Sequence, residues 1–237
     1  MNYILGGIMN YIVGRGGLAC EFETYFGPHK FLEIHEASPK MSILDNGDVG
    51  TKYNCRVFNN RYEAYDDGED YKPSPNDTFL FGTGSKKVKK IWFKALSQWF
   101  TPSEKHFPNR FAPGVLLPPN IEFGYGNVIA HAIVTGDNKF GNFNFVNNGT
   151  FLAHNAEVGD FNFFGPNVQV CGWCTFGNDN WIGVGTNFYE AIKVGNNNTI
   201  AGGSLIRKDI PPYVKAAKEP VSFVGINSIG LRRRGFT

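Results

Sequence analysis

The second half of the chain repeats every six residues, and that period limits the architectures open to it. Stepping by six from Val128 gives Val128, Val134, Phe140, Val146, Leu152, Val158, Phe164, Val170, Phe176, Ile182, Phe188, Val194, Ile200 and Ile206, all apolar. In a chain that is 42% apolar, chance breaks such a series early. The next position is usually small: Gly141, Ala153, Gly159, Gly165, Gly177, Gly183, Gly195, Ala201. Asparagine and glycine fill the expected turns, as in Asn147-Asn148-Gly149 and Asn196-Asn197-Asn198, where positive φ is needed. A six-residue period fits neither a helix nor an alternating strand. It fits a parallel β-helix, in which three hexads make one 18-residue triangular coil and the coils stack. The register fails at Glu122, which predicts an irregular first coil and a start near residue 112. Pro211-Pro212 cannot continue a ladder and is the expected end.

The first half has a different grain. MNYIVGRGGLACEFETYF reads as strand, glycine turn and helix, HKFLEIHE as a second strand, and NDTFLFGTGSKKVKKIWFKALSQWF as strand, glycine turn and helix again. Alternation of β and α predicts a small parallel, Rossmann-like α/β domain. The acidic, turn-rich stretch from Asp45 to Asp77 is an inserted loop or hairpin. The expected division is 1–108 for the α/β domain, 109–212 for the β-helix and 213–237 for a tail. Met9 is the expected start, since MNYILGG and MNYIVGR nearly repeat.

Totals remove several function classes. A net charge of +2 on 237 residues argues against a nucleic-acid partner. No run of about 18 apolar residues exists, so no membrane span is expected. The N-terminus lacks a basic n-region, which with four cysteines points to the reducing cytoplasm. CGWC at 171–174 has strand-like and turn-like flanks and no second CxxC, so its cysteines read as structural rather than redox or zinc ligands. Three histidines converging on one zinc are also missing, because His131 and His154 are 23 residues apart and out of stack. No metal is expected.

Three segments carry a resemblance. GRGGLACEF at 14–22, AHNAEVGDF at 153–161 and IAGGSLIRKDIPPYV at 200–214 together resemble nucleotide-sugar N-acetyltransferases of the bacillosamine and sialic-acid O-acetyltransferase group. GINSIGLRRRGFT at 225–237 resembles the segment after the β-helix in the UDP-N-acetylglucosamine O-acyltransferases of lipid A synthesis, and some dTDP-3-aminosugar N-acyltransferases share it. The resemblance implies a left-handed β-helix, a homotrimer with acetyl-CoA between neighbouring prisms, and acetyl transfer to the amino group of a UDP- or dTDP-linked 4-amino-4,6-dideoxyhexose. O-acetylation, 3-aminosugar N-acylation and a non-catalytic scaffold are the alternatives.

The resemblance also implies residue roles. His154 aligns with the catalytic base, and one imidazole suffices for acetyl transfer to an amine, because the nucleophile has a single proton to lose. Relatives place an acidic residue next, whereas this chain has Asn155, which can orient a ring N–H but adds no charge; a weaker base is expected. Gly172 aligns with the glycine whose N–H faces the thioester carbonyl. Val184 and Gly202 align with backbone lining the acetyl-CoA arm, although plain hexad packing explains them equally. Phe163 falls where several relatives have a second histidine that contacts substrate or thioester, and Asn147 aligns with a polar residue near the base. Gly16, Gly17 and Leu18 match the turn that meets the sugar nucleotide at a helix N-terminus, and Gly82 a second loop there. Glu36, with Asp45 as the alternative, is the expected acidic residue after strand two. The SKKVKK run at 85–90 reads as a solvated helix face. Arg232, Arg233 and Arg234 are the better candidates for an anion.

Overall fold

The computed structural model describes residues 11–26, 29–36, 42–43, 49–50, 53–59, 62–64 and 69–216. The expected extension before Met9, Asp45 and the arginine tail lie outside these residues. The chain opens with β1 (Tyr11–Val13), α1 (Gly17–Phe26) and β2 (Lys30–Glu36). A small β3 (Ser42–Ile43) and β4 (Val49–Gly50) pair follows, then β5 (Tyr53–Phe58), β6 (Glu69–Tyr71), β7 (Phe79–Phe81) and α2 (Lys86–Leu96).

The first sheet has the order β6-β5-β2-β1-β7. Central β1 is parallel to both β2 and β7, and Ile12 and Val13 are fully buried. The sheet is mixed rather than wholly parallel as expected, since β5 runs antiparallel to β2 and β6 to β5. Among the described residues no helix links these strands, and strands joined without a crossover pair antiparallel. Of the two parallel pairs, β1–β2 is joined through α1, whereas β7 is entered from β6 and precedes α2. Ser85 caps α2 by accepting the Val88 N–H.

Seventeen two-residue rungs follow among the described residues, and they stack into three parallel sheets. Face 1 holds β8 (Arg110–Phe111), β10 (Val128–Ile129), β13 (Phe145–Val146), β16 (Phe163–Phe164), β19 (Trp181–Ile182), β22 (Thr199–Ile200) and β24 (Lys215–Ala216). Face 2 holds β11 (Ile133–Val134), β14 (Phe151–Leu152), β17 (Gln169–Val170), β20 (Asn187–Phe188) and β23 (Leu205–Ile206). Face 3 holds β9 (Glu122–Phe123), β12 (Lys139–Phe140), β15 (Glu157–Val158), β18 (Thr175–Phe176) and β21 (Lys193–Val194). The second residue of each rung packs into one continuous interior cluster, and the first points out.

Two details correct the hexad register. Ile129, not Val128, faces the interior, pairing with Val146, while Val128 packs outward against the first unit. The inward series Phe111, Leu117, Phe123 and Ile129 keeps the six-residue step and then reaches Val134 after five. The first coil is therefore regular, one residue out of phase, and Glu122 is simply an outward residue beside Phe123. At the far end, the double proline does not stop the stack. Ile210 bridges Val194, and β24 pairs with β22. The prolines occupy a corner, where no ladder N–H is required, so the coil shortens to 16 residues between Ile200 and Ala216 and continues past residue 212.

Corners are built from columns of left-handed residues. Asp137, Asn155, Trp173 and Ala191, each 18 apart, have φ of 60°, 59°, 57° and 58° between faces 2 and 3. Many asparagines serve elsewhere, in a buried ladder. Asn127, Asn144, Asn162 and Asn180 each pass a side-chain oxygen to the backbone N–H of the next, ending at Asn198, at 2.9 to 3.0 Å. These amides satisfy corner N–H groups that no strand reaches.

The first unit sits on face 1. Phe22, Ile12 and Phe31 share a cluster with outward Val128, Phe145 and Phe163, and Phe22 meets Phe145 edge-on at 5.5 Å. Phe81, Phe93 and Phe107 pack on Phe143 and Phe161 at the corner between faces 3 and 1. The lysine run of α2 joins this contact, and it is not the solvated face expected from its charge. Lys86 reaches the Asp179 carbonyl, Lys90 pairs with the Asp179 carboxylate at 2.6 Å, and Lys89 is buried with Nζ on the Phe143 carbonyl at 3.1 Å. Phe143 and Asp179 are prism residues, so three of the four lysines fasten α2 to it.

Candidate functional site

His154 follows β14 at the corner between faces 2 and 3, and its side chain is exposed. Asn155 holds it: Nδ1 lies 2.8 Å from Asn155 Oδ1. With a carbonyl oxygen as partner, Nδ1 carries the proton, which leaves Nε2 as an acceptor. One coil further, Gly172 lies under the ring. A Cβ there would stand 2.7 Å from His154 Cε1, so only glycine lets the imidazole lie flat over the backbone. Trp173 closes the side, its indole edge-on to the imidazole with ring centroids 4.3 Å apart, and the Trp173 backbone N–H donates to the His154 carbonyl at 3.1 Å. His154, Asn155 and Gly172 are thus brought together as expected.

Trp173 was not anticipated; a signal was present, because it lies 19 residues after His154 and hence one coil below Asn155. The flanking cysteines are free: Cys171 is exposed, while Cys174 is buried and donates to the Tyr189 carbonyl. Burial pushes the Cys174 thiol above its usual range and Cys55 up to about 12, which fits structural thiols. Among the described residues no group of three or more His, Cys, Asp or Glu could hold a metal.

Val184 and Gly202 meet each other at the corner between faces 1 and 2. Gly203 N–H donates to the Val184 carbonyl at 2.7 Å, and a Cβ at Gly202 would stand 3.0 Å from Val184 Cγ1. Face 2 separates this corner from that of His154. Ile133 and Leu205 on it, with Val184, Tyr189 and Trp173 at its two edges, are half-exposed or more. Phe163 and Asn147 are not beside His154. Phe163 lies on face 1 between Phe145 and Trp181, because nine residues carry the chain one and a half faces onward. Asn147 is buried at the end of β13, its oxygen on the Asn148 N–H at 2.7 Å.

A crevice of about 370 Å³ opens beyond the ends of β1 and β7, lined by Gly14, Arg15, Gly16, Glu33, Gly82 and Trp92 among others. It joins Gly16 and Gly82 as expected. A Cβ on Gly16 or Gly17 would meet nothing within 4 Å, so those glycines leave open space rather than relieve a clash. Gly82 has a packing duty, since its Cβ would stand 2.8 Å from Ala19 Cβ. Leu18 turns toward the core under α1. Gly14 is the conformationally demanding member of the motif, with φ of 94° and Trp92 Cη2 2.6 Å from where a Cβ would be. The acidic residue on this crevice is Glu33, within β2, paired with Arg15 at 2.7 Å. Glu36 ends β2 and its side chain lies outside the described set.

A triangular stack of two-residue rungs, one per six residues, is a hexapeptide-repeat parallel β-helix. The tail, residues 209–237, matches the family described as Udp N-acetylglucosamine O-acyltransferase, domain 2. An acyl-[acyl-carrier-protein]–UDP-N-acetylglucosamine O-acyltransferase of Thiobacillus denitrificans is 31% identical over 128 residues, 51% of this chain and 50% of that protein. A Burkholderia orbicola enzyme of the same name is 34% identical over 86 residues, covering 36% and 33%. The chain thus spans about half or less of the length of these curated relatives. In fold it is similar to the acetyltransferase domain of PglB from Neisseria gonorrhoeae, solved with acetyl coenzyme A, at TM-score 0.62 and 19% identity over 87% of this chain and 94% of that one. PerB from Caulobacter crescentus, solved with CoA and GDP-perosamine, gives 0.60 and 17% over 87% and 92%. Part of the chain is thus similar in sequence to UDP-N-acetylglucosamine O-acyltransferases, and most of it shares its fold with two acetyltransferases.

Proposed function

We propose that the protein is an acetyl-CoA-dependent N-acetyltransferase acting on the amino group of a nucleotide-linked amino-deoxy sugar, with UDP- or dTDP-4-amino-4,6-dideoxyhexose as the favoured substrate. The observation that carries this is the exposed imidazole lying on Gly172, with Nδ1 held by Asn155 and Nε2 free to accept a proton. The amine nitrogen attacks the thioester carbonyl, a C–N bond forms, the C–S bond breaks and CoA leaves as thiol. His154 Nε2 takes the amine proton and returns it to the departing sulfur, a role worth ~10²–10⁴ in rate. The Gly172 N–H is the proposed donor to the oxyanion. The glycine crevice at Gly14 to Leu18 and Gly82 receives the nucleotide, and acetyl-CoA runs along face 2 toward Val184 and Gly202.

The handedness is proposed as left, the first unit as a divergent Rossmann-like fold, the assembly as a homotrimer and the compartment as the cytoplasm. Geometry supports assembly. The first unit covers face 1, and the edge bearing His154 is opposite that face. A nucleotide sugar in the crevice of one copy therefore meets the imidazole of another, with the apolar surface of face 2 between copies. O-acyl transfer is the second reading, favoured by the tail match at 209–237. It is weaker because a hydroxyl needs a stronger base than an imidazole without a carboxylate.

The test is thiol release from acetyl-CoA across a panel of aminosugar nucleotides, comparing native protein with His154→Ala. Equal turnover would remove the assignment. Mixing His154→Ala with Gly16→Asp subunits should restore part of the activity if the sites are shared.

A further inference from the structure

His154 has few restraints on its ring. The side chain is exposed, and Nδ1 meets one neutral acceptor, Asn155 Oδ1, at 2.8 Å. A carboxylate in that place would make a charge-assisted bond, roughly twice as strong. Gly172 provides a flat floor but, lacking a side chain, does not stop the ring from turning on it. The third contact is Trp173, whose indole stands at 86° to the imidazole with centroids 4.3 Å apart.

A tryptophan is costly at that place. Trp173 belongs to the corner column of Asp137, Asn155 and Ala191 and has φ of 57°, a left-handed conformation that bulky side chains rarely adopt. Strain of this kind persists where the surroundings impose it, and it gathers at functional sites. Three other aromatic residues take left-handed corners among the described residues. Phe143 and Phe161 pack under Phe93 of α2, and Tyr213 lies three residues from the end of the described chain. Trp173 is 53% exposed, and the aromatic ring against it is the imidazole. Ala191 holds the same corner one coil on at φ of 58°, so the backbone does not call for an indole.

We propose that Trp173 is a positioning residue for the imidazole: its indole blocks rotation of the ring, and with Asn155 on Nδ1 it gives the hold that one adjacent carboxylate would give. This rests on the reading of His154 as the base. Edge-on aromatic contacts are attractive and directional, so they favour one ring plane. The indole adds no charge and acts through the imidazole. Its effect falls on how often Nε2 is aligned with the amine, and a misaligned base lowers turnover rather than donor binding.

The corner column itself supplies substitutions that its backbone accepts. Trp173→Ala copies Ala191, and Asn155→Asp copies Asp137, whose φ is 60°. In the thiol-release assay on the intact protein, Trp173→Ala should lower kcat about tenfold, without raising the Michaelis constant for acetyl-CoA or lowering the melting temperature. Trp173→Phe should retain most of the native kcat. Adding Asn155→Asp to Trp173→Ala should recover most of the loss, a rescue that a merely structural tryptophan would not give. Nitrogen-15 NMR of the His154 ring, assigned by its absence in His154→Ala, reads the same effect without turnover. Recorded near pH 9, where an imidazole is neutral, the proton should sit on Nδ1 in the native protein and be shared between both nitrogens in Trp173→Ala. Native kcat in Trp173→Ala, no recovery in the double variant, or an unchanged proton distribution overturns the positioning role. An inactive His154→Ala beside a fully active Trp173→Ala leaves the base reading standing, whereas native turnover in His154→Ala overturns both.

Discussion

Replacing Lys89 by methionine should stabilise the protein at neutral pH and abolish a rise in stability in mild alkali. Lys89 is buried, and loss of hydration lowers its ammonium from the ordinary 10.5 to about 8. Below pH 8 the group is protonated folded and unfolded, and the folded state bears the cost of an ammonium out of water. Between pH 8 and 10.5 the folded state has released the proton and the unfolded chain has not, so the unfolded state binds more protons and stability climbs with pH. The climb is about 3 kcal/mol, from about 2.5 units at 1.36 kcal/mol each. Methionine fills similar space without the penalty, but it strands the Phe143 carbonyl that Nζ now satisfies at 3.1 Å, which costs ~1–2 kcal/mol. The variant should then be ahead by ~1–2 kcal/mol at pH 7 and behind by a similar amount near pH 10.5. Urea unfolding at one protein concentration, followed by tryptophan fluorescence at each pH from 7 to 10.5, measures the difference and cancels groups common to both. Curves that stay parallel across that range would refute the buried-ammonium reasoning.

Other perturbations separate site from scaffold. Gly172→Ala should push the imidazole aside, because its methyl would stand 2.7 Å from Cε1; turnover should fall roughly 100-fold with little change in melting temperature. Gly14→Ala meets both a φ of 94° and the Trp92 ring, so it should cost at least ~1–3 kcal/mol in thermal unfolding and weaken nucleotide binding in calorimetry. Asn162→Ala removes the acceptor for Asn180 N–H and the donor to the Gly177 carbonyl, both buried, and should cost ~2–4 kcal/mol by urea unfolding without altering the Michaelis constant for acetyl-CoA.

The prism was legible because its interior admits one side chain per face, and that constraint repeats in sequence at a fixed step. Phase was less legible. Val128 and Ile129 are both apolar, so a one-residue slip leaves the pattern intact, and only the pairing of Ile129 with Val146 distinguishes them. The asparagines misled in part, because the same residue type serves two purposes. Asn155 and Asn197 adopt positive φ as expected of turns, whereas Asn198, next to Asn197, is buried as a link in the ladder. Charge misled for a related reason. A lysine run is solvated when its helix faces water, but α2 faces the carbonyl-rich corner of a β-helix, where ammonium groups find acceptors that a hydrocarbon core lacks. Contacts of this kind join residues some 54 to 93 positions apart, and no local period encodes them.

The site was divided along the same line. His154, Asn155 and Gly172 were found together because residues 18 apart stack, so the column under the imidazole follows from arithmetic. Phe163, which alignment set near the base, lies on another face because of its nine-residue offset from His154. The Phe163–Trp181 stack belongs to the face covered by the first unit, and the imidazole to the opposite edge, so a single prism keeps them apart. On the proposed reading the chemistry is completed across a seam between copies, and the exposed Ile133, Leu205, Tyr189 and Trp173 bordering that edge are the surface such a seam would bury.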